Sequence, residues 1–163
     1  MKSVEEINKY AVSAENSSTQ VNIGVLINQL AAADDSIREN ARLSLVKLGK
    51  PAVHPLIRAM TSHDQVVRWE AAEGLIHIGS DVTVPLLQAL ISNSKSFQLR
   101  EGAHHVLNHL TGGDRSIEHH TDHHGPRSGI ADILEPVVKA LEDRAPSVRV
   151  PTAAQNALDK MKT

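Results

Sequence analysis

The chain has 163 residues and a formal net charge of −2, with 17 Lys and Arg against 19 Asp and Glu. This length suits one domain or one short repeat array, and the charge balance lacks the positive excess of nucleic-acid-binding proteins. The chain has no Cys, which excludes disulfides and thiolate metal sites. It has no window of about 18 uninterrupted apolar residues, and its N-terminus does not have the pattern of a secretory signal. We therefore expect a cytoplasmic protein with neither a nucleic-acid nor a membrane partner.

Residues 1–20 form the first predicted element, an N-terminal capping helix with a linker. Ser3-Val4-Glu5-Glu6 is a capping-box pattern, and an apolar helical stripe follows it. Residues 15–20 are polar and predict the linker. Because the terminal repeat of an array needs a polar outer face, we expect this helix to cover the first repeat.

Residues 21–163 contain a repeat built from two apolar patterns. The first pattern, which we assign to A helices, occurs at residues 25–30, 55–60, 85–90 and 136–141. The second, assigned to B helices, has offsets of 0, 4, 8 and 11 residues, which trace one stripe of an α-helix. The four B stripes are Ile37-Ala41-Leu45-Leu48, Val67-Ala71-Leu75-Ile78, Leu99-Ala103-Leu107-Leu110 and Val150-Ala154-Leu158-Met161.

The residues between the stripes are typical of helix ends. Gly49 and Gly79 follow the first two B stripes, where a helix end favours a positive φ, and Asp34 and Asp64 precede them at capping positions. Three prolines are expected in the first turns of A helices, namely Pro55, Pro85 and Pro136. Helix pairs of this length are stable only when stacked, so the sequence predicts an all-α solenoid of about four pairs.

The segments DDSIRENARLSLVKLG and DQVVRWEAAEGLIHIG resemble bacterial HEAT repeats of the phycobilisome-lyase subtype, and the resemblance covers residues 21–163. It implies that Arg38, Arg68 and Arg100 belong to a structural Asp-Arg ladder between repeats. In the fourth repeat Pro151 stands at the ladder position, which suggests an imperfect terminal cap. Some relatives are bilin lyases, but the repeat alone does not imply that activity.

An insertion rich in His interrupts the array at about residues 111–129. The chain has ten His residues, and seven of them lie between His104 and His124. A His-rich loop can bind transition metals opportunistically. The alternative is an ordinary solvated loop that binds no metal. The candidate loop ligands are His119, His120, His123 and His124.

A second candidate metal site lies on the outward lines of the second and third B helices. Its residues recur at four-residue steps and therefore share one side of each helix; they are Glu73, His77, Glu101, His105 and His109. Carboxylate and imidazole ligands suit Zn, Fe or Mn, and an open coordination position would permit enzymatic chemistry. The alternative is a polar coat on a solvated helix. Deoxyhypusine hydroxylase has a similar repeat with His-Glu pairs after the repeat Arg, and this chain lacks those pairs, so we do not expect its diiron activity.

A candidate binding patch surrounds the single Trp of the chain on the same outward side, which is concave in HEAT-repeat proteins. Trp69 is predicted to be exposed together with Leu43, Val46 and Ile76, and exposed aromatic residues with aliphatic neighbours are typical of binding surfaces. The alternative is a ring that lies across a neighbouring helix. No motif for a nucleophile or a phosphate loop is present.

The sequence thus favours a non-catalytic scaffold that binds a protein or peptide partner through this patch. The competing hypotheses are a metal-binding HEAT-repeat protein, with or without an enzymatic activity, and a bilin-lyase-like protein.

Overall fold

The computed structural model describes residues 22–112 and 129–162, and in this part of the chain every regular element is helical. The N-terminal capping helix predicted at residues 1–20 and the four loop His residues lie outside the described residues. One 3-10 helix, Gly79–Val82, accompanies the α-helices. The α-helices are α1 (described over residues 22–29), α2 (Asp35–Leu48), α3 (Lys50–Ala59), α4 (Gln65–Ile78), α5 (Thr83–Ser92), α6 (Phe97–Leu110), α7 (Gly129–Leu141) and α8 (Pro146–Lys160).

Capping side chains begin α2 and α4, and glycines end both helices, as the sequence predicts. The Asp34 carboxylate accepts from the main-chain N–H of Ser36 at 2.8 Å, and the Asp64 carboxylate accepts from Val66 at 2.8 Å. Gly49 and Gly79 have φ values of 67° and 84°, which L side chains rarely adopt. The chain therefore turns sharply after α2 and α4, and α3 begins immediately after Gly49.

The prolines do not all lie where they were expected. Pro55 is inside α3 and Pro136 is inside α7, so the expectation of first-turn positions is wrong for these two. The reason is that each helix begins earlier than the apolar pattern indicates, at Lys50 and at Gly129. Pro51 instead occupies the start of α3, where its missing N–H costs no helical hydrogen bond.

The helices form two layers, which agrees with an α-solenoid of helix pairs. The B helices α2, α4 and α6 pack side by side, and α3 packs against both α4 and α5. Between the layers, the small second residue and the third residue of each B stripe are buried. The first stripe is less complete, because Ile37 is 45% exposed and Leu48 is 37% exposed. Both residues belong to α2. Among the described B helices, α2 has a neighbour on one side, which is α4, so its other side is less covered.

The fourth pair departs from the expected arrangement. Although α8 carries a B stripe, it packs against α5 and α7, whereas α7 packs against α6. A hydrogen bond of 3.0 Å between His104 Nε2 on α6 and the Glu142 carboxylate at the end of α7 fits this order. The two helices of the fourth pair are thus exchanged between the layers.

The segment Gln65–Ser92 is long and apolar enough to span a membrane by length and composition. In the structure it is two α-helices separated at Gly79, where φ is positive, and it contributes Leu75, Leu86 and Leu87 to the core. A core role explains its apolar composition. These properties fit a soluble protein, and cytoplasmic localisation stays a prediction.

Candidate functional site

The candidate site lies on the outward side of α2, α4 and α6, which we call the B face. Equivalent residues of the three helices stand side by side because the helices share one layer. The residues of the B face form three lines with four-residue steps: Glu39, Leu43 and Lys47; Trp69, Glu73 and His77; Glu101, His105 and His109.

Trp69 is the most exposed residue of α4 with a large apolar surface, and 57% of it is accessible to solvent. Its ring stacks on the imidazole of His105, with ring centroids 5.0 Å apart and an interplanar angle of 25°. Offset stacking of this kind is a favoured arrangement of two π systems. The stack joins α4 to α6 and fixes the orientation of the indole while leaving much of it open to solvent.

Glu73 lies one turn after Trp69 on α4 and contacts the imidazole of His105. Its carboxylate accepts a hydrogen bond from His105 Nε2 at 3.0 Å, and both side chains are half-buried. The main-chain carbonyl of Glu73 accepts from His77 Nδ1 at 2.8 Å. Because a carboxylate and a carbonyl only accept, both contacting ring nitrogens carry hydrogen in these contacts.

The five residues of the predicted helical metal site are not brought together. Glu73 and His105 contact each other, but no described residue pairs with the side chains of Glu101 or His109, and the Nδ1 of His77 is already bonded to a carbonyl. Among residues 22–112 and 129–162, no group of three or more His, Asp and Glu side chains has a geometry that could hold a metal ion. Binding of Zn, Fe or Mn by the helical set is therefore not supported by this geometry and stays a prediction. Metal binding by the four loop His residues stays a prediction.

The predicted apolar patch is present in part. Leu43 is 49% exposed and Val46 is half-buried, so both contribute surface beside Trp69. Ile76 is only 8% exposed and belongs to the core, so the expectation that it contributes to an open patch is wrong. The side of α4 that carries Ile76 and Ala72 packs inward.

Phe97 is a candidate residue that the sequence analysis missed. It begins α6, is 64% exposed, and stands one helical turn before Glu101 on the line of His105. The apolar stripe of this helix starts only at Leu99, so the sequence analysis did not include Phe97 in the helix. The four-residue spacing of Phe97, Glu101 and His105 was the signal available.

The repeated arginines close the turn of their own repeat. Arg38 Nη1 donates to the main-chain carbonyls of Ala32 and Ala33 at 2.6 and 3.1 Å, and Arg38 also pairs with Asp35. Arg68 donates to the carbonyls of Ser62 and His63, and Arg100 to that of Ser94. A structural role is supported. The hydrogen bonds of these arginines stay within one helix pair, and the contact that reaches the next repeat is between Arg38 Nε and the carboxylate of Glu70, at 3.9 Å. An Asp-Arg ladder between repeats is therefore not seen among the described residues.

Glu70 makes the polar contact between α2 and α4. Arg42 Nε donates to the Glu70 carboxylate at 3.0 Å, and Arg38 Nε lies 3.9 Å from the same carboxylate. All three side chains are less than one-fifth exposed. This contact therefore closes the B layer between α2 and α4.

The comparisons with known proteins agree with this architecture. A family model for HEAT repeats matches residues 23–108, which is more than half of the chain and includes α2 to α5, most of α6 and every residue of the B face except His109. The comparison with curated proteins found no match, and neither did the comparison with solved structures. The match does not extend to α7 and α8, where the packing order changes.

Proposed function

Because the chain belongs to the HEAT-repeat family, whose members commonly mediate protein-protein interaction, we propose that it is a non-catalytic module that binds a protein or peptide partner on the B face. The observation that carries the proposal is the exposed, stacked indole of Trp69. Trp is the residue type most enriched among those that dominate binding energies.

The stack with His105 makes Trp69 a better anchor than a free surface Trp. Immobilising a mobile side chain on binding makes the free energy of binding less favourable. This cost is smaller for a ring that is already oriented in the free protein. The neighbouring carboxylate of Glu73 holds the imidazole on which the indole rests. The anchor is therefore ordered before a partner arrives.

The surroundings of Trp69 supply the rest of an interface. Leu43 on α2 and Phe97 on α6 expose apolar surface on either side, while charged residues line the same helices. Interfaces typically combine an apolar centre with a polar rim. The helices beneath are fixed by buried residues such as Leu75 and Leu107, so the surface is rigid.

The proposal is tested by selecting peptides from a random displayed library against the wild-type protein and measuring their affinity for two variants. Trp69→Ala removes the anchor, and Val84→Ala removes an exposed apolar residue from α5 in the other layer. We expect Trp69→Ala to weaken the selected peptides at least about tenfold, since a Trp anchor contributes about 2 kcal/mol or more. Val84→Ala should leave them unchanged.

Helicity measured by circular dichroism verifies that both variants remain folded. Selected peptides that bind wild type and Trp69→Ala equally would show that the B face around Trp69 is not the binding surface. Peptides that lose affinity for Val84→Ala instead would place the binding surface on the α5 layer.

A further inference from the structure

We propose that the B face recognises a basic segment of its partner, with an arginine side chain stacked on the exposed indole of Trp69 and paired with the carboxylate of Glu101. This inference rests on the proposed function and adds the chemistry of the ligand. It follows from the placement of an accessible aromatic face beside a carboxylate that has no partner among the described residues.

The indole of Trp69 has an accessible surface that suits a cation. The imidazole of His105 lies against it at 5.0 Å, and 57% of Trp69 nevertheless remains exposed. Cations bind over the faces of aromatic rings because the ring quadrupole is negative there, and Trp is the strongest of the aromatic residues in this respect. A planar guanidinium stacked on the indole would extend the existing stack.

Glu101 lies in the position from which a carboxylate reaches such a cation. It stands one helical turn before His105 on α6 and is the register equivalent of Trp69 on α4. Its side chain is exposed, and no described residue forms a hydrogen bond or an ion pair with it. A carboxylate without a partner binds an arginine by a charge-assisted, bidentate hydrogen bond.

The other charged groups of the B face favour the same ligand. Glu39 on α2 is exposed and also has no pairing partner among the described residues, and Glu73 adds a third carboxylate. Among Lys and Arg residues, these three lines carry Lys47, which lies at the C-terminal end of α2, two turns after Glu39. The part of the face nearest Trp69 is therefore acidic, which complements a basic segment.

Arginine and lysine are distinguishable in this site. A lysine carries the same charge, but its ammonium is compact and strongly hydrated, whereas a guanidinium both stacks on an aromatic ring and forms two parallel hydrogen bonds. If charge alone attracted the partner, the two residues would bind equally. A preference for arginine that depends on Trp69 is the signature of the proposed contact.

The test measures binding of two fluorescein-labelled peptides, (Gly-Ser-Arg)₃ and (Gly-Ser-Lys)₃, by fluorescence anisotropy at physiological salt. We expect the arginine peptide to bind wild type at least about threefold more tightly than the lysine peptide. Trp69→Leu should abolish this preference. Glu101→Gln should weaken the arginine peptide about threefold to tenfold.

Asp132→Asn is the matched control, because it removes one exposed carboxylate from α7, which is not one of the three helices of the B face. It should change the affinity for the arginine peptide by less than about 1.5-fold. Equal binding of the two peptides to wild type, no detectable binding of either, or equal effects of Glu101→Gln and Asp132→Asn would each overturn the inference. If library-selected peptides still depend on Trp69 while the arginine peptide does not bind, the interaction module stands and only this ligand chemistry fails.

Discussion

Helix α4 has two neighbours in its layer, and it contacts them by different means. On the α2 side, the carboxylate of Glu70 is enclosed by Arg38 and Arg42, and all three side chains are mostly buried. On the α6 side, Glu73 and His105 form a more exposed hydrogen bond beneath the open ring of Trp69. One contact is closed to solvent and the other is open to it.

Residue size explains this difference. The positions held by Arg42 and Glu70 between α2 and α4 are held by Ala72 and Gly102 between α4 and α6. Gly102 has so little room that an added Cβ would lie 2.7 Å from the sulfur of Met60. Ala72 and Gly102 carry no polar side chain. The polar contact between α4 and α6 therefore forms about one turn later, between Glu73 and His105. There it reaches the surface and becomes available to a partner.

The largest expected effect concerns the core that both contacts share. Leu75 on α4 is fully buried, and Leu75→Ala should lower the free energy of unfolding by about 2 to 4 kcal/mol because it leaves a cavity. Leu43→Ala makes the same chemical change on the exposed B face and should cost less than about 1 kcal/mol. Urea unfolding monitored by circular dichroism measures both. Equal losses would mean that α4 is not central to the core.

Glu70 and Glu73 compare the two contacts directly, since they are the same residue type on the same helix. Glu70→Ala removes the carboxylate that two mostly buried arginines share, although Arg38 keeps its pair with Asp35, and it should lower the free energy of unfolding by about 1 to 3 kcal/mol. Glu73→Ala removes a more exposed pair and should cost less than about 1 kcal/mol. The reverse order, measured by urea unfolding, would show that the open contact is the stronger one.

Two glycine variants measure how closely the helices approach. Gly102→Ala should destabilise the protein by about 1 kcal/mol, because the clash with Met60 exceeds the gain in helix propensity. Gly74→Ala places its Cβ 3.4 Å from the Leu56 methyl groups and should be neutral or slightly stabilising. Thermal unfolding compares them. A higher melting temperature for Gly102→Ala would refute the close contact.

The smallest effect is spectroscopic. Trp69 is the only Trp in the chain, so its fluorescence reports on the open contact alone. The imidazole of His105 lies against the indole and covers part of it. We therefore expect His105→Ala to increase the quenching of Trp69 fluorescence by acrylamide, because more of the ring becomes accessible. His109→Ala, on the same line of α6, is the control and should leave the quenching unchanged.

Local features of the sequence predicted the helices well. The apolar stripes, the caps Asp34 and Asp64 and the glycines Gly49 and Gly79 act within one turn or one helix, so they are readable without tertiary information. The match to HEAT repeats covers the part of the chain in which these signals repeat regularly.

Features that depend on a neighbouring helix were predicted less well. Ile76 was expected to be exposed, but its side of α4 is covered by packing that periodicity alone does not specify. The metal hypothesis placed five residues on the right helices, yet whether their side chains converge depends on rotamers and on competing hydrogen bonds such as that of His77. The exchange of α7 and α8 is a matter of contacts between helices that are distant in the sequence, since α8 packs against α5 and α7 packs against α6, and the apolar stripes do not specify those partners.

The exchanged fourth pair determines where this array can grow by duplication. Consider a second copy of the unit from Gly49 to Ile78, inserted next to the original. Its A helix would pack against A helices on both sides and its B helix against B helices. The same unit placed after α8 would begin in the wrong layer, because α8 lies against α5. We therefore expect lengthened relatives, natural or engineered, to carry their extra repeats before α6, with the α7 and α8 hairpin kept as the final pair.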